Sequence, residues 1–236
     1  MWKGRSVLAV VPARAGSKGI ARKNLVRVGG RTLIEHAARA ALALTGVDRA
    51  VLSTDDDEMA DEGRRCGLAV PFRRPAVLAS DEATAADAWA HAWLASEAAF
   101  GERYDVSLWL QPTTPLRDVS DVERTLATLV EGDLDSAATV SPIPAHLRPE
   151  RAMTLGPACE LAFYASDGAA HANRQTIPTT WFRNGVCYAA TRATVVDERR
   201  TIGVRAAGVP VPGPVVSIDD VHDLEVARLL ARRADA

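Results

Sequence analysis

The sequence predicts an α/β fold, a doubly wound and mostly parallel sheet interrupted once by an arm that leaves it. Three observations carry this. Short apolar, β-branched runs alternate with alanine-rich stretches headed by capping residues. The connections between them are short, as in βα units. Between Ser141 and about Thr180 the alternation lapses, and prolines stand at 142, 144, 149, 157 and 178.

Val7 to Val11 is uninterrupted and β-branched, which suits a strand covered on both faces. The run stops at Pro12, and Leu25 to Gly30 is a short connection. Thr32 and Glu35 form a Thr-x-x-Glu capping box that starts a helix ending near Gly46. Arg49 to Ser53 is a second strand. Asp55, Asp56 and Asp57 follow at its carboxyl end, placed either to assist a ligand site or to sit in the first turn of a helix running to Cys66. Gly67 stops that helix, Leu68 to Val70 is a short strand, and a long helix is expected from about Asp81 to Phe100. Asp105 to Leu110 is the next strand. Ser120 and Glu123 form a second capping box, for a helix that stops at Gly132, and Ser136 to Val140 is a strand. Beyond the arm, Asn184 to Ala190, Gly208 to Val211 and Val215 to Ile218 resume as strands. Asp220 caps a last helix with Val221, Leu224, Ala227 and Leu230 on its inner face and with Arg232 and Arg233 near its end. The expected organisation is a nucleotide-binding α/β domain from 1–140 and 181–236, with residues 141–180 as the arm.

Composition narrows the class. A chain of 236 residues, 47% hydrophobic, buries a substantial core. No run approaches the roughly 18 apolar residues of a spanning helix, so no membrane segment is expected. With a net charge of -2 and both signs interspersed, no nucleic-acid surface is expected either. The 3 cysteines, Cys66, Cys159 and Cys187, are odd in number and far apart, which points to a reducing, cytoplasmic setting.

The chemistry concentrates after the first strand. Gly16 and Gly19 allow sharp turns and close approach to a ligand, and Arg14, Lys18, Arg22 and Lys23 crowd positive charge into one loop. Phosphate oxygens there would accept charge-assisted bonds of about 1.5 to 3 kcal/mol each. The spacing is neither a P-loop nor a dinucleotide fingerprint. A second loop, Gln111 to Arg117, is stiffened by Pro112 and Pro115, and Phe72 to Pro75 is an irregular basic segment. The 5 histidines form no recognisable ligand set.

These motifs together resemble the acylneuraminate cytidylyltransferases, the CMP-sialic acid synthetases, over nearly the whole chain. The family loop Pro-Ala-Arg-x-Gly-Ser-Lys-Gly-Ile-x-x-Lys-Asn stands as Pro12 to Asn24. Its Leu-Gln-Pro-Thr-Ser-Pro-Leu-Arg stands as Leu110 to Arg117, with Thr114 for the usual Ser. Ser53 to Asp56, Arg74-Pro75, Leu78 to Asp81, Arg174-Gln175 and Asn184-Gly185 match in the same order. The resemblance implies a nucleotide-diphospho-sugar transferase-like, Rossmann-like fold. It also implies transfer of CMP from CTP, with Mg²⁺, to a hydroxyl of an anionic acceptor, a sialic-type nonulosonic acid. By resemblance Arg14, Ser17, Lys18 and Lys23 hold the triphosphate, and Arg14, Lys18 and Lys23 serve catalysis. Asn24 meets the ribose, and Arg74 with the backbone near Ala13 and Ala79 receives the cytosine. Gln111 and Asn184 face the acceptor, as do Arg151 and Arg174 of the arm. The resemblance and the proline-rich arm imply a homodimer in which Arg174 reaches the acceptor carboxylate of the neighbouring site.

Two departures stand out. Where the family has Asp-x-Asp before the last helix, this chain has Ser217-Ile218-Asp219, which leaves Asp219 as the metal ligand. Where the family has His-Pro-x-Lys, the chain has Leu147 to Arg151, so Arg151 replaces a lysine and can grip a carboxylate or phosphonate bidentately. The alternatives left open are a phosphonate or eight-carbon keto acid as acceptor, and a catalytically silent nucleotide-binding homologue.

Overall fold

A computed structural model of the chain describes residues 1–166 and 179–234. In chain order the elements are β1 Val7–Ala13, the paired β2 Arg27–Val28 and β3 Arg31–Thr32, α1 Leu33–Ala43, β4 Arg49–Thr54, α2 Asp57–Arg65 and α3 Ala85–Phe100. There follow β5 Val106–Trp109, α4 Val119–Glu131, β6 Ser136–Pro142, β7 Met153–Leu155, β8 Leu161–Phe163, β9 Trp181–Thr191, β10 Ala206–Pro210 and α5 Val221–Ala234. The six-stranded sheet has the order β10-β6-β9-β5-β1-β4.

Period-two alternation in β1 sorts the core into two layers. Val7, Ala9, Val11 and Ala13 pack with Ile34, Ala37 and Ala41 of α1 and Val122 and Leu126 of α4. Leu8 and Val10 face the other way, onto Ala88, Trp89, Ala92 and Trp93 of α3. Trp89 and Trp93 are fully buried, and Trp89 Nε1 donates to Ser107 Oγ at 2.8 Å, which satisfies the indole while its rings fill the layer. Each fully buried Val or Leu contributes about 1.5–3 kcal/mol of transfer free energy. A smaller cluster of Val28, Leu33, Ile218, Leu224, Ala227 and Ala231 seats α5 against the β2–β3 ladder.

Pairing is parallel for β1 with β4 and β5 and for β10 with β6. β9 runs antiparallel between β5 and β6, and its register shifts between Ala138 and Val140. The mostly parallel sheet is therefore observed, and its one reversed strand is the one that returns from the arm.

Several boundaries differ from expectation. β1 continues through Pro12 to Ala13. Val10 faces β5, because its carbonyl accepts from Leu110 N at 2.9 Å, so Pro12 shares that side. β5 has already ended there at Trp109, and proline's missing N–H costs no ladder bond. α3 starts at Ala85 rather than near Asp81, because Thr84 Oγ1 accepts from Asp87 N at 3.1 Å and fixes the cap there. α4 is capped by Asp118, which accepts from Ser120 N at 2.9 Å, so the Ser120–Glu123 box does not form. An aspartate two residues earlier offers a stronger, ionised acceptor to the helix N-terminus. Leu68 to Val70 contributes one isolated bridge, Val51 to Ala69, and Val215 to Ile218 forms no strand, its Ile218 N donating instead to Thr113 O at 2.8 Å. In α5 the inner residues are Leu224, Ala227 and Ala231, whereas Val221 is exposed. The caps at Thr32 and Asp220 hold: Thr32 Oγ1 accepts from Glu35 N at 3.0 Å, and Asp220 Oδ1 accepts from His222 N and Asp223 N.

Within 141–180, β6 runs on to Pro142 and Ile143 N donates to Thr180 O at 2.9 Å. The paired β7 and β8 form a small antiparallel hairpin.

Candidate active site

β1, β4 and β5 end side by side, and the loops leaving their carboxyl ends enclose a cleft of about 490 Å³. This is where a parallel α/β sheet offers its ligand crevice. The cleft wall includes Arg14, Ser17, Lys18, Lys23, Asn24, Arg74, Gln111 and Asp219.

The basic loop is shaped by its own backbone. Asn24 Nδ2 donates to Arg14 O at 3.0 Å, tying the two ends of the loop together, and Ala15 N donates to Asp55 Oδ1 at 2.9 Å. Arg22 adopts a left-handed φ of 51° and is held by Asp56 at 3.1 Å and Glu58 at 2.6 Å. The three aspartates thus divide. Asp55 supports the loop, Asp56 caps α2 by accepting from Met59 N at 2.9 Å, and Asp57 lies in its first turn.

Two carboxylates answer the loop cations. Asp81 Oδ1 lies 3.0 Å from Arg14 Nη2 and Asp81 Oδ2 lies 2.8 Å from Lys18 Nζ. Lys18, then Arg14, hold the Asp81 carboxyl below its usual range. Arg14 Nη1 also donates to Ser80 O at 2.8 Å and Ala79 O at 3.3 Å. Lys23 Nζ donates to Ile218 O at 2.9 Å and reaches Asp219 Oδ1 at 3.3 Å. Asp219 is 79% exposed and turned to the cleft mouth, while Ser217 is half-buried and does not reach the cleft wall.

Arg74 is buried under the cleft floor. Its Nη2 donates to Ser53 O at 2.7 Å and its Nε to Ser53 Oγ at 3.0 Å. Burial pushes its guanidinium down to about 10, opposed by the Asp55 charge. Arg117 organises the opposite wall, donating to Thr114 O at 3.1 Å, Val186 O at 2.8 Å and the carbonyl of Gln111. Gln111 is thereby fixed beside Gly185, whose φ is 79°. A Cβ on Gly185 would come within 2.8 Å of Gln111 Oε1, so only glycine leaves that amide its place.

The structure does not bring every expected residue to this wall. Ala13 is buried at the end of β1, and Ala79 contributes its carbonyl to Arg14. Asn184 is buried with its amide donating to Ser141 Oγ at 2.9 Å and its carbonyl accepting from Val186 N, and it does not line the cleft. Arg151 is exposed on the turn Pro149–Arg151, away from the cleft wall. Arg174 lies outside the described residues. Asp81, Trp109 and Arg117 are structural parts of the site that motif reading left unassigned. For Asp81 the only signal is its place in Leu78 to Asp81, next to the stretch that receives Arg14.

The sheet and its crevice define an α/β nucleotidyltransferase-type enzyme fold. In overall structure the chain is similar to CMP:2-keto-3-deoxy-manno-octonic acid synthetase complexed with CTP, with a TM-score of 0.70 at 20% identity, over 97% of this chain and 99% of that one. Residues 8–168 match the cytidylyltransferase family, and the chain belongs to it. A relative from Legionella pneumophila, CMP-N,N'-diacetyllegionaminic acid synthase, is 35% identical over 58% of each chain. A relative from Campylobacter coli, post-translational flagellin modification protein B, is 31% identical over 61% of this chain and 60% of its own. Both matches thus span under two thirds of the relatives' own length. Pseudaminic acid cytidylyltransferase of Campylobacter jejuni is 27% identical over 94% of this chain and 95% of its own.

Proposed function

We propose that the protein transfers CMP from CTP to a hydroxyl of an acidic sugar of the sialic, nonulosonic type and releases pyrophosphate. One observation carries it: Arg14, Lys18 and Lys23 share a single cleft with Gln111, against two cleft carboxylates among the described residues, Asp81 and Asp219. The names of the Legionella and Campylobacter jejuni relatives support the acceptor class.

In this reading Arg14, Ser17, Lys18 and Lys23 bind the triphosphate, Asn24 the ribose, and Arg74 with the Ala13 and Ala79 backbone the base. Gln111 orients the acceptor, joined by Asn184 through the wall it supports and by Arg151 and Arg174 from a partner copy. The acceptor oxygen attacks the α-phosphorus, the bond to the bridging oxygen breaks, the hydroxyl proton passes to water and pyrophosphate leaves. Catalysis is positioning plus neutralisation of charge growing on the leaving oxygens, supplied here by Arg14, Lys18 and Lys23. Mg²⁺ commonly takes one or two carboxylates with phosphates and waters, and the exposed carboxylate of Asp219 fits that role without a second acid at Ser217. Bound there, the ion adds positive charge to the phosphates.

The proposal includes a cytoplasmic homodimer, with 141–180 as the docking arm. Leu155, Leu161 and Phe163 of the hairpin and Trp181 and Phe182 of β9 are exposed, an apolar expanse that a second copy would cover. Among the described residues, no helix is long and apolar enough to cross a membrane.

Incubation with CTP, Mg²⁺ and a panel of hydroxy acids, followed by pyrophosphate release, tests the reading. Release with nonulosonic acids is expected. Release with phosphonates alone would move the acceptor class, and CTP binding without release from any acid would leave a silent nucleotide-binding protein.

A further inference from the structure

A second cavity, of about 570 Å³, opens beside the cleft and shares Trp109 and Gln111 with it. Its other wall brings together Arg183 of β9 and Arg199 and Arg200 from the segment that follows the turn Ala193–Asp197. No aspartate or glutamate lines it among the described residues. Arg183 lies 5.8 Å from the centroid of the Tyr188 ring, with Nη1 3.5 Å from Thr201 Oγ1. Arg200 approaches one acid, Glu198, at 3.8 Å. The Arg199 side chain has no hydrogen-bond or ion-pair partner among the described residues, and its backbone holds a φ of 55°, which residues other than glycine rarely adopt. Like charges turned to a cavity whose described lining carries no carboxylate raise the local potential there and attract an anion.

Position decides which anion. The triphosphate cations Arg14, Lys18 and Lys23 line the cleft but not this cavity, and Gln111 stands at the junction of the two. We infer that the cavity defined by Arg183, Arg199 and Arg200 receives the oxyanion group of the acceptor, a carboxylate or a phosphonate, and so selects acidic acceptors. The inference rests on the proposed CMP transfer and adds to it the residues that read the acceptor's charge. Guanidinium groups suit this task because they grip such planar or tetrahedral oxyanions in pairs of hydrogen bonds. The acceptor's hydroxyl then lies at Gln111, on the side that opens to the α-phosphate.

The test uses the full-length protein with Arg183→Gln and the double variant Arg199→Gln/Arg200→Gln, all at exposed positions where loss of fold is not expected. Calorimetry with CTP present titrates two probes, N-acetylneuraminate and 2-hydroxyethylphosphonate, alongside pyrophosphate-release kinetics. Each variant is expected to weaken binding of the acid, and to raise its KM, by about tenfold, the loss of one good charge-assisted contact. CTP affinity should stay within about twofold, since no triphosphate cation is touched. Arg183→Lys should recover part of the loss. The probe whose binding depends on the arginines identifies the group read. Equal acid affinity in the wild type and the double variant would overturn the inference, whether or not turnover occurs. Absence of pyrophosphate release in the wild type, with arginine-dependent acid binding intact, would instead count against the proposed transfer.

Discussion

Gly19 lies directly against the backbone carbonyl of Asp219, so close that a Cβ on Gly19 would overlap that oxygen. The contact joins the basic loop after β1 to the segment entering α5, and Lys23 crosses the same junction to Ile218 O at 2.9 Å. Gly19→Ala must move one backbone or the other, carrying Lys18 and Lys23 out of register with Asp219. Under the proposed function triphosphate binding needs these cations to converge, and CTP Kd is then expected to rise about tenfold or more. Gly16→Ala is the control, because nothing lies within 4 Å of its Cβ position, and it should change Kd far less. Calorimetry on both variants checks the difference.

Asp81 occupies Arg14 and Lys18 at 3.0 and 2.8 Å, so under the proposed function an incoming triphosphate displaces it from both. The carboxylate is well exposed, and solvent screening leaves such pairs weak. Asp81→Asn removes the competitor and the repulsion while leaving Arg14 its bonds to Ala79 O and Ser80 O. CTP is expected to bind about two- to fivefold more tightly. Weaker binding in the variant would mean that Asp81 orients the cations for the phosphates rather than competing with them.

Much of this architecture was legible in local sequence. The strand before Pro12, the caps at Thr32 and Asp220 and the glycine stop at Gly67 follow from propensities that act over a few residues. The cleft membership of Arg14, Ser17, Lys18, Lys23, Asn24, Arg74, Gln111 and Asp219 was legible from motif. What escaped depends on distant partners. The direction of β9 is hidden by the long excursion before it, because an alternating apolar strand reads the same in either sense. The choice of Asp118 over Ser120, and of Thr84 over Asp81, turned on which acceptor the folded loop aims at the helix, and Asp81 was already engaged by Arg14 and Lys18. Asn184 carries a motif, but its amide is used inside the fold, on Ser141 and Val186. The arginines at 183, 199 and 200 follow no spacing rule, since a bend after β9 brings them together.

Glu62 links α1 to α2. Arg65 donates to it at 2.7 and 2.8 Å and the hydroxyl of Thr32, the α1 cap, at 2.5 Å, and these contacts pull its carboxyl down to about 2. Because the folded value lies below the ordinary 4.5, the stabilisation is fully present above that ordinary value. It is lost as pH falls toward about 2. Arg65 is half exposed, so the contribution is discounted to about 1 kcal/mol. Glu62→Gln should cost about that much at neutral pH. It should also flatten the acid limb between the two values when denaturant midpoints are compared with wild type.

Gly185 makes a tight steric demand on the proposed acceptor side of the site. Its φ is 79°, and a Cβ there would stand 2.8 Å from Gln111 Oε1 and 3.0 Å from Thr114 Oγ1, whose hydroxyl is buried without a hydrogen-bond partner. Arg117 holds the main chain of Gln111 and Thr114, so the loop cannot retreat as a whole. Under the proposed function Gly185→Ala is therefore expected to displace the Gln111 side chain and raise the acceptor KM about tenfold, with CTP Kd changed far less because the atoms a Cβ would meet belong to Gln111 and Thr114 and not to the basic loop. The left-handed backbone adds about 1–2 kcal/mol of destabilisation for alanine. Gly213→Ala separates the two effects. Its φ is 88°, nothing lies within 4 Å of its Cβ position, and it should lose comparable stability in urea melts without any change in acceptor KM. An unchanged acceptor KM in Gly185→Ala, measured by pyrophosphate release, would remove Gln111 from the acceptor's contacts.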